Sequence, residues 1–337
     1  MDRKKKVRLS DIAAKLKIST VTVSKALADK DGVGDELRQQ IKELAEEMGY
    51  KIKAGTGNNS GSITGNIGIL IPKKYFSAQV SFYWHIFNNL SSELLRRNYF
   101  SIMELLSDED ESNMVMPRML QDNKVDGLVI LGEVNYKYVE KLNEEYSNFI
   151  LLDFYTNNSD YDSVSNDNYY CSYHLTNYVI SQGHKKLRFV GNFSATTSIR
   201  DRFMGFMKAM LENNISTGVD KIIDDRDEKG GFIPLKLPLD DMPTAFICNN
   251  DGTAALLIEE LNKNGYKVPE DISVTGFDNY IAQGAAPVQL TTVYVKPEDV
   301  ASMASDLIIK KITGEPYIKG RHLVSGSVLI RDSVKKI

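Results

Sequence analysis

The sequence predicts a mixed α/β protein in two parts, and three features carry that prediction. Residues 1–53 hold three short amphipathic helical segments, residues 54–65 are rich in glycine, asparagine and serine, and from Asn66 onward short apolar strands alternate with helical stretches. The 337 residues exceed what one ordinary core holds and suit two or three compact units. A hydrophobic content of 42% with 26% charged residues is that of a folded chain, which excludes wholesale disorder and fibrous repeats.

The first helix is expected over residues 11–16, with Ser10 ahead of it as N-cap and Ile12, Ala13 and Leu16 on one face. After a break at Lys17-Ile18-Ser19, Ser19 caps a second helix over residues 20–27. Its spacing turns Val23, Ala26 and Leu27 inward and Thr20, Val21, Ser24 and Lys25 outward, with Thr22 at the edge. A third helix, about residues 35–48, carries Leu37, Ile41, Leu44, Ala45 and Met48 at helical spacing and stops at Gly49-Tyr50.

The outer face of the second helix offers small hydroxyls, one methyl-bearing side chain and one cation, the groups a helix needs in the DNA major groove. Lys25 can donate to guanine O6 and N7, Thr20 can bond a base or a phosphate, and Val21 can touch a thymine methyl. Thr22 and Ser24 suit phosphate oxygens, and Ser10 is placed with them. The alternative is a three-helix mini-domain whose polar face is merely solvated. Residues 1–53 carry 13 Lys and Arg against 9 Asp and Glu, whereas the remainder carries 28 against 36. A basic head on an acidic body suits a polyanion contacted at one end only.

Residues 54–65 read as a flexible join. Their glycines do not make a dinucleotide loop, because such a loop follows a buried strand and opens a helix, whereas this stretch follows a helix and leads into a strand. Ile63, next to the first strand, is expected in the core, with a substitute minor-groove wedge as its alternative.

In the large domain, residues 67–71, 101–105, 127–131 and 149–153 form one series of strands, and 187–190, 245–248 and 272–275 a second. The alternation with helices implies parallel sheets in two lobes with a cleft between them, lobe 1 about 66–162 and 293–323, lobe 2 about 163–292 and 324–333. Ligands of open α/β sheets gather at the carboxyl ends of strands. Asp153, Asn250-Asp251 and Gly276-Phe277-Asp278-Asn279 stand at such ends, and Arg202 lies in a helix beside them. Carboxylates, an amide and a guanidinium together bond the hydroxyls of a polyol, and Phe82, Tyr83 and Trp84 offer a flat apolar wall. Each also has a plainer reading: strand-end Asp and Asn as turn formers or caps, Arg200 or Arg202 paired with Asp201, the aromatics as core.

Other classes are disfavoured. The basic opening is followed by Val7-Arg8-Leu9-Ser10-Asp11 rather than an apolar stretch, so no secretion signal is expected. No run reaches the ~20 apolar residues of a membrane span. Cys171 and Cys248 make no disulfide framework, and a soluble cytoplasmic chain is expected. His85, His174, His184 and His322 lack metal-ligand spacing and no Gly-x-Ser-x-Gly elbow occurs, so neither metal, cofactor nor enzymatic activity is expected. Asp153 and Asp278 as a glycosidase pair keep the enzyme alternative open. A solute-binding protein is the other alternative, and it gives residues 1–50 no role.

Leu9-Ser10-Asp11-Ile12-Ala13 through Thr22-Val23-Ser24-Lys25-Ala26-Leu27, closing on Gly49-Tyr50, resembles the DNA-binding head of the lactose/galactose repressor (LacI/GalR) family of bacterial transcription regulators. The resemblance runs over about residues 8–333. Its further landmarks include Ile67-Gly68, Asp167-Asn168, Gly183-His184, Arg202-x-x-Gly205-Phe206, Asn250-Asp251, Gly276-Phe277-Asp278 and Leu329-Ile330-Arg331-Asp332-Ser333. It implies a helix-turn-helix head and a periplasmic-binding-protein-like domain. It also implies a homodimer on a pseudo-palindromic double-stranded operator, and a small sugar-like effector whose binding moves the lobes and with them the heads. By position it makes Thr20, Val21 and Lys25 base readers, and Phe82, Tyr83, Asp153, Ser198, Arg202, Asn250 and Asp278 effector contacts.

The sequence departs from the family at Lys17, in place of a turn glycine, at Gly34, in place of a capping serine, at Cys171, in place of a glycine, and over residues 224–241. The linker lacks the Pro-Asn start and Ala-Arg-x-x-Leu pattern of the family's hinge helix, and Asn59 stands where its minor-groove leucine would. A leucine-wedged hinge is therefore not expected, nor is a tetramer-forming helix after Ser333.

Overall fold

A computed structural model of the chain describes residues 9–27, 33–48, 63–76, 82–216, 218–227, 230–280 and 288–337, with backbone alone at 9–11, 14, 21, 24 and 46. The chain divides into a first unit, Met1–Thr64, and a second, Gly65–Ile337.

The first unit holds α1 (Leu9–Leu16), α2 (Thr20–Leu27) and α3 (Asp35–Glu47). α1 is already running at Leu9, so Ser10 lies inside its first turn and not ahead of it as a cap. The turn after α1 places Lys17 at φ 55°, a left-handed conformation that costs a side chain about 1–2 kcal/mol. The Ser19 Oγ accepts the Thr22 N–H at 3.0 Å and caps α2 as its sequence implies. Ile12, Ala13, Val23, Ala26, Val33, Ile41 and Ala45 form the buried core, with Leu16, Leu27, Leu37, Leu44 and Met48 at its margin. The helical spacing thus places these apolar residues correctly. Of the linker, residues 54–62 lie outside the described residues. Ile63, expected in the core, is 73% exposed, because the first strand starts only at Asn66.

The second unit runs β1 (Asn66–Pro72), α4 (Phe82–Arg96), β2 (Phe100–Leu106), α5 (Asp108–Ser112), α6 (Arg118–Gln121), β3 (Gly127–Leu131), α7 (Tyr136–Glu145), β4 (Phe149–Leu152) and β5 (Ser163–Asn166). It continues with α8 (Asn168–Ser181), β6 (Leu187–Val190), α9 (Thr197–Glu212), β7 (Ile222–Ile223), β8 (Ala245–Cys248), α10 (Asp251–Lys263) and β9 (Ser273–Thr275). It closes with β10 (Thr292–Tyr294), α11 (Pro297–Thr313), β11 (Arg321–Val324) and β12 (Ser327–Leu329).

Two parallel sheets result, ordered β11-β5-β4-β3-β1-β2 and β7-β6-β8-β9. Successive residues of a strand face opposite sides, and both sides are covered, which is why the strands read as unbroken apolar runs. In the first sheet Ile67, Ile69, Ile71, Val129 and Leu131 enter one core and Leu70, Leu128, Ile130 and Leu151 the other. In the second, Phe189 and Ile247 oppose Val190, Phe246 and Cys248. Both cysteines are buried and free.

The lobe boundaries need correction. β5 pairs with β4 and β11 within the first sheet, so lobe 1 extends through Asn166 and not to 162, and β11 carries it through Val324 rather than 323. The polar run Ser163-Val164-Ser165-Asn166 gives no apolar signal of this. β10 and β12 pair antiparallel as a separate two-stranded ribbon at the crossovers. The chain end returns to lobe 2, where the Ser333 hydroxyl donates to the Val274 carbonyl at 2.6 Å and accepts the Thr291 N–H at 2.8 Å. α8 packs along α9 at Gly205, where a Cβ would stand 2.1 Å from the Tyr169 carbonyl oxygen.

Candidate functional site

In the head, α1 and α2 are joined by only three residues, a helix-turn-helix arrangement. Thr20 and Lys25 are exposed on α2, as are Lys15 and Lys17 in and after α1. The two extra cations suit phosphate contacts that the sequence reading did not single out. Thr22 is half-buried and its hydroxyl lies 2.8 Å from the Ser19 Oγ, so it is already engaged within the helix cap. Ser10, Val21 and Ser24 lie on helical backbone, and their side chains fall outside the described residues.

In the second unit Arg202, on α9, is the organising group. Its Nε donates to Asn168 Oδ1 at 2.8 Å, one terminal nitrogen to the Asn249 carbonyl at 2.6 Å, and the other to Asp278 Oδ1 at 3.0 Å. The guanidinium lies over the Phe277 ring, 3.9 Å from its centroid. Asp201 does not compete for it, because that carboxylate takes Arg321 and the Tyr155 hydroxyl, both at 2.7 Å.

Lobe 1 supplies the opposing surface. Asp153 follows β4 directly, at φ 69°, and its Oδ2 accepts the Tyr83 hydroxyl at 2.9 Å. The Tyr83 ring stacks on Tyr75 at 4.8 Å, and Phe82 meets Tyr280 of lobe 2 at 6.1 Å. Glu133, two residues beyond β3, reaches lobe 2 and accepts the Thr197 N–H at 2.6 Å at the start of α9. Trp84 is exposed and stacks on Phe87 at 5.2 Å, so it belongs to the outer side of α4.

Burial pushes the Asp153 carboxyl up to about 6, opposed by Arg202 and reinforced by Asp278 and Glu133. Asp278, at φ 94°, is also raised by burial, against the pull of Arg202. The phenols of Tyr75 and Tyr83 are raised by burial and by Glu133 or Asp153 beside them. Two buried atoms at the site, Asp153 Oδ1 and Thr197 Oγ1, lack any partner among the described residues. Unsatisfied buried polar atoms are uncommon in native folds, and a donor-bearing ligand would satisfy Asp153 Oδ1.

Of the sequence-selected residues, the structure brings Phe82, Tyr83, Asp153, Arg202 and Asp278 into one neighbourhood. Ser198 is buried in the first turn of α9, 3.0 Å from the capping Thr196 hydroxyl. Asn250 acts as N-cap of α10, accepting the Thr253 N–H at 2.7 Å. Its neighbour Asp251 is buried behind the site, where it accepts the Thr292 hydroxyl at 2.6 Å. Missed by the sequence reading were Tyr75, Glu133, Thr197 and Arg226. Glu133 obeys the strand-end rule and could have been found. Arg226, pinned by Asp225 at 2.7 Å, follows the two-residue β7, too short to show in sequence.

Among the described residues no group of three or more His, Cys, Asp or Glu is placed to hold a metal, and no helix is long and apolar enough to cross a membrane. A helix-turn-helix head followed by two parallel-sheet lobes with polar groups converging at their strand ends defines a DNA-binding regulator with a ligand cleft. Residues 8–52 match the family described as bacterial regulatory proteins, lacI family, and residues 176–334 match the periplasmic binding protein-like domain. The chain thus carries a lacI-family helix-turn-helix domain and a periplasmic binding protein-like domain, and it is a DNA-binding transcription regulator.

It is 24% identical over 335 residues to the HTH-type transcriptional repressor PurR of Vibrio campbellii, covering 98% of this chain and 99% of that one. The fold is shared with the transcriptional regulator CelR–cellobiose complex, at 18% identity and TM-score 0.68 over 97% of this chain and 100% of that one. It is shared equally with the lac repressor dimer bound to operator and the anti-inducer ONPF, at 18% identity and TM-score 0.67 over 98% and 100%.

Proposed function

We propose that the protein is a cytoplasmic repressor that binds a pseudo-palindromic operator as a homodimer and is controlled by a sugar-like effector held between the two lobes. The carrying observation is the Arg202 clamp. Its three hydrogen bonds fix a guanidinium and the Asp278 carboxylate in one lobe, facing Asp153 and the aromatic rings of Phe82 and Tyr83 in the other. Such a set of rigid donors and acceptors beside flat rings is the usual equipment for a polyhydroxyl ligand. Asp153, Arg202 and Asp278 are assigned to hydroxyl groups, Phe82 and Tyr83 to the ring face, and Ser198 and Asn250, at the starts of α9 and α10, to further polar contacts.

The names of the comparison proteins support the reading: several curated relatives are called repressors, one solved neighbour carries cellobiose, another ribose, and one is a dimer on operator DNA. In the head, Thr20, Val21 and Lys25 are assigned to bases, with Ser10, Thr22 and Ser24 on phosphates. Ligand binding changes the relation between lobes, and the coupling free energy is the difference in affinity for two lobe arrangements. Thermal-shift screening of the full chain against mono- and disaccharides tests this, because a ligand at 100 times its Kd adds about 2.7 kcal/mol. A stabilising sugar whose effect disappears in Arg202→Ala supports the cleft. A stabilisation that persists in that variant places the ligand elsewhere.

A further inference from the structure

The charges of the two lobes are matched differently. In lobe 2 Arg202 pairs with Asp278 at 3.0 Å and Arg226 with Asp225 at 2.7 Å. In lobe 1 Asp153 and Glu133 leave adjacent parallel strands whose last paired residues, Leu131 and Leu152, stand side by side, so both carboxylates occur at one sheet edge. Neither makes an ion pair among the described residues. Among the described residues Glu133 is bonded to a backbone N–H and Asp153 to a phenol, while Asp153 Oδ1, in a residue 6% exposed, has no partner. The Lys74 ammonium lies over the Tyr75 ring. In sequence, segments 77–81 and 281–287 contain no Lys or Arg, and segment 228–229 contains Lys229.

Arg202 acts on Asp153 through space but spends its ion pair on Asp278, so two carboxylates at one edge repel each other with no ion pair of their own, and burying such a group with incomplete compensation is costly. A neutral polyol supplies donors but no charge. An anionic ligand, such as a sugar phosphate, adds to the repulsion. An ammonium group brings three donors, no acceptor and the missing charge, which complements acceptor-only carboxylates. Two carboxylates with no third ligand do not make a metal site.

Building on the effector-cleft reading, we infer that the effector is a polyhydroxylated amine whose ammonium group binds between Asp153 and Glu133 while its hydroxyls meet the Arg202–Asp278 pair. The amine is the specificity element: it separates this ligand from the neutral sugar of the same shape.

Calorimetric titration of the full chain with matched pairs tests it: glucose and glucosamine, galactose and galactosamine, mannose and mannosamine, with N-acetylglucosamine, glucose 6-phosphate and calcium chloride as controls. At least one amino sugar binds about tenfold or more tightly than its hydroxyl counterpart, as expected for a close charge pair out of water. That advantage is lost in Glu133→Gln, an isosteric change on the half-exposed rim, and in Asp153→Asn. N-acetylglucosamine does not share it. Equal binding of the two forms, abolished by Arg202→Ala, overturns the amine and leaves the cleft standing. Binding that survives Arg202→Ala overturns the cleft reading itself. No binding by any member, or equal binding by glucose 6-phosphate or calcium alone, overturns the inference.

Discussion

Replacing Arg202 by Ala removes one side of a buried ion pair and leaves the other side in place. Asp278 is then a carboxylate with no cation, and Asn168 Oδ1 and the Asn249 carbonyl lose their donor at the same moment. Both side chains of the pair are nearly inaccessible, at 6% and 10% exposure, so solvent screening is weak. Breaking such a pair from one side costs about 3–5 kcal/mol, mostly the penalty of an uncompensated buried charge. Adding Asp278→Asn removes that charge, so the double variant is less destabilised than the two single losses combined, by about 0.5–3 kcal/mol. Urea denaturation of the full chain measures this, followed by circular dichroism and by the fluorescence of Trp84, the chain's single tryptophan, on α4 of lobe 1. An Arg202→Ala variant within 1 kcal/mol of wild type, roughly the scale of an exposed pair, or strictly additive losses, would refute the claim that Arg202 organises lobe 2.

Other outcomes follow from single positions. Gly205→Ala places a Cβ 2.1 Å from the Tyr169 carbonyl and 2.9 Å from the Tyr173 nitrogen, both backbone, so it forces α8 from α9 and lowers stability by about 1–3 kcal/mol; an unchanged urea midpoint contradicts the packing. Lys17→Gly relieves the left-handed strain at φ 55° and stabilises the head by about 1 kcal/mol, read as protection of α1 and α2 amides from hydrogen exchange, with no gain as the contrary result. Burial holds the Asp153 carboxyl at about 6 in the fold, against about 3.9 in the unfolded chain, so the stability gained from its proton is full below about pH 4 and lost as pH rises through about 6. Asp153→Asn lacks this loss and gains on the order of 3 kcal/mol relative to wild type between pH 4 and 7. Parallel stability curves for the two proteins would show that Asp153 is ionised throughout.

The parts of the fold that apolar periodicity determines were legible in the sequence. The head's core residues, from Ile12 to Met48, and the strands around Leu70, Val129 and Ile247 follow from spacing alone, because burial on one face or both leaves its mark on consecutive residues. β5, β7 and β11 were not legible: β5 is mostly polar, β7 is two residues long, and β11 opens with the polar pair Arg321-His322 at a sheet edge. Asp153, Arg202 and Asp278 were selected by a chemical rule about strand ends, but their partners were not. Arg202 is bonded to groups 34, 47 and 76 residues away, and sequence spacing carries no information at that range. Asn250 shows the opposite outcome, since the plainer reading as a helix cap accounts for its hydrogen bond.

On the proposed function, α2 reads a specific DNA sequence for a regulator whose second unit senses a ligand. Selection of bound duplexes from a randomised pool by the full chain tests it most directly, followed by titration of the selected duplex with wild type and Lys25→Ala. The expected result is a two-fold-related consensus, and a loss of about 1–3 kcal/mol for Lys25→Ala on that duplex with relaxed preference at one base pair and little change on random DNA. No enriched sequence, or an equal loss on selected and random duplexes, would contradict base reading by α2 and reduce Lys25 to a phosphate contact.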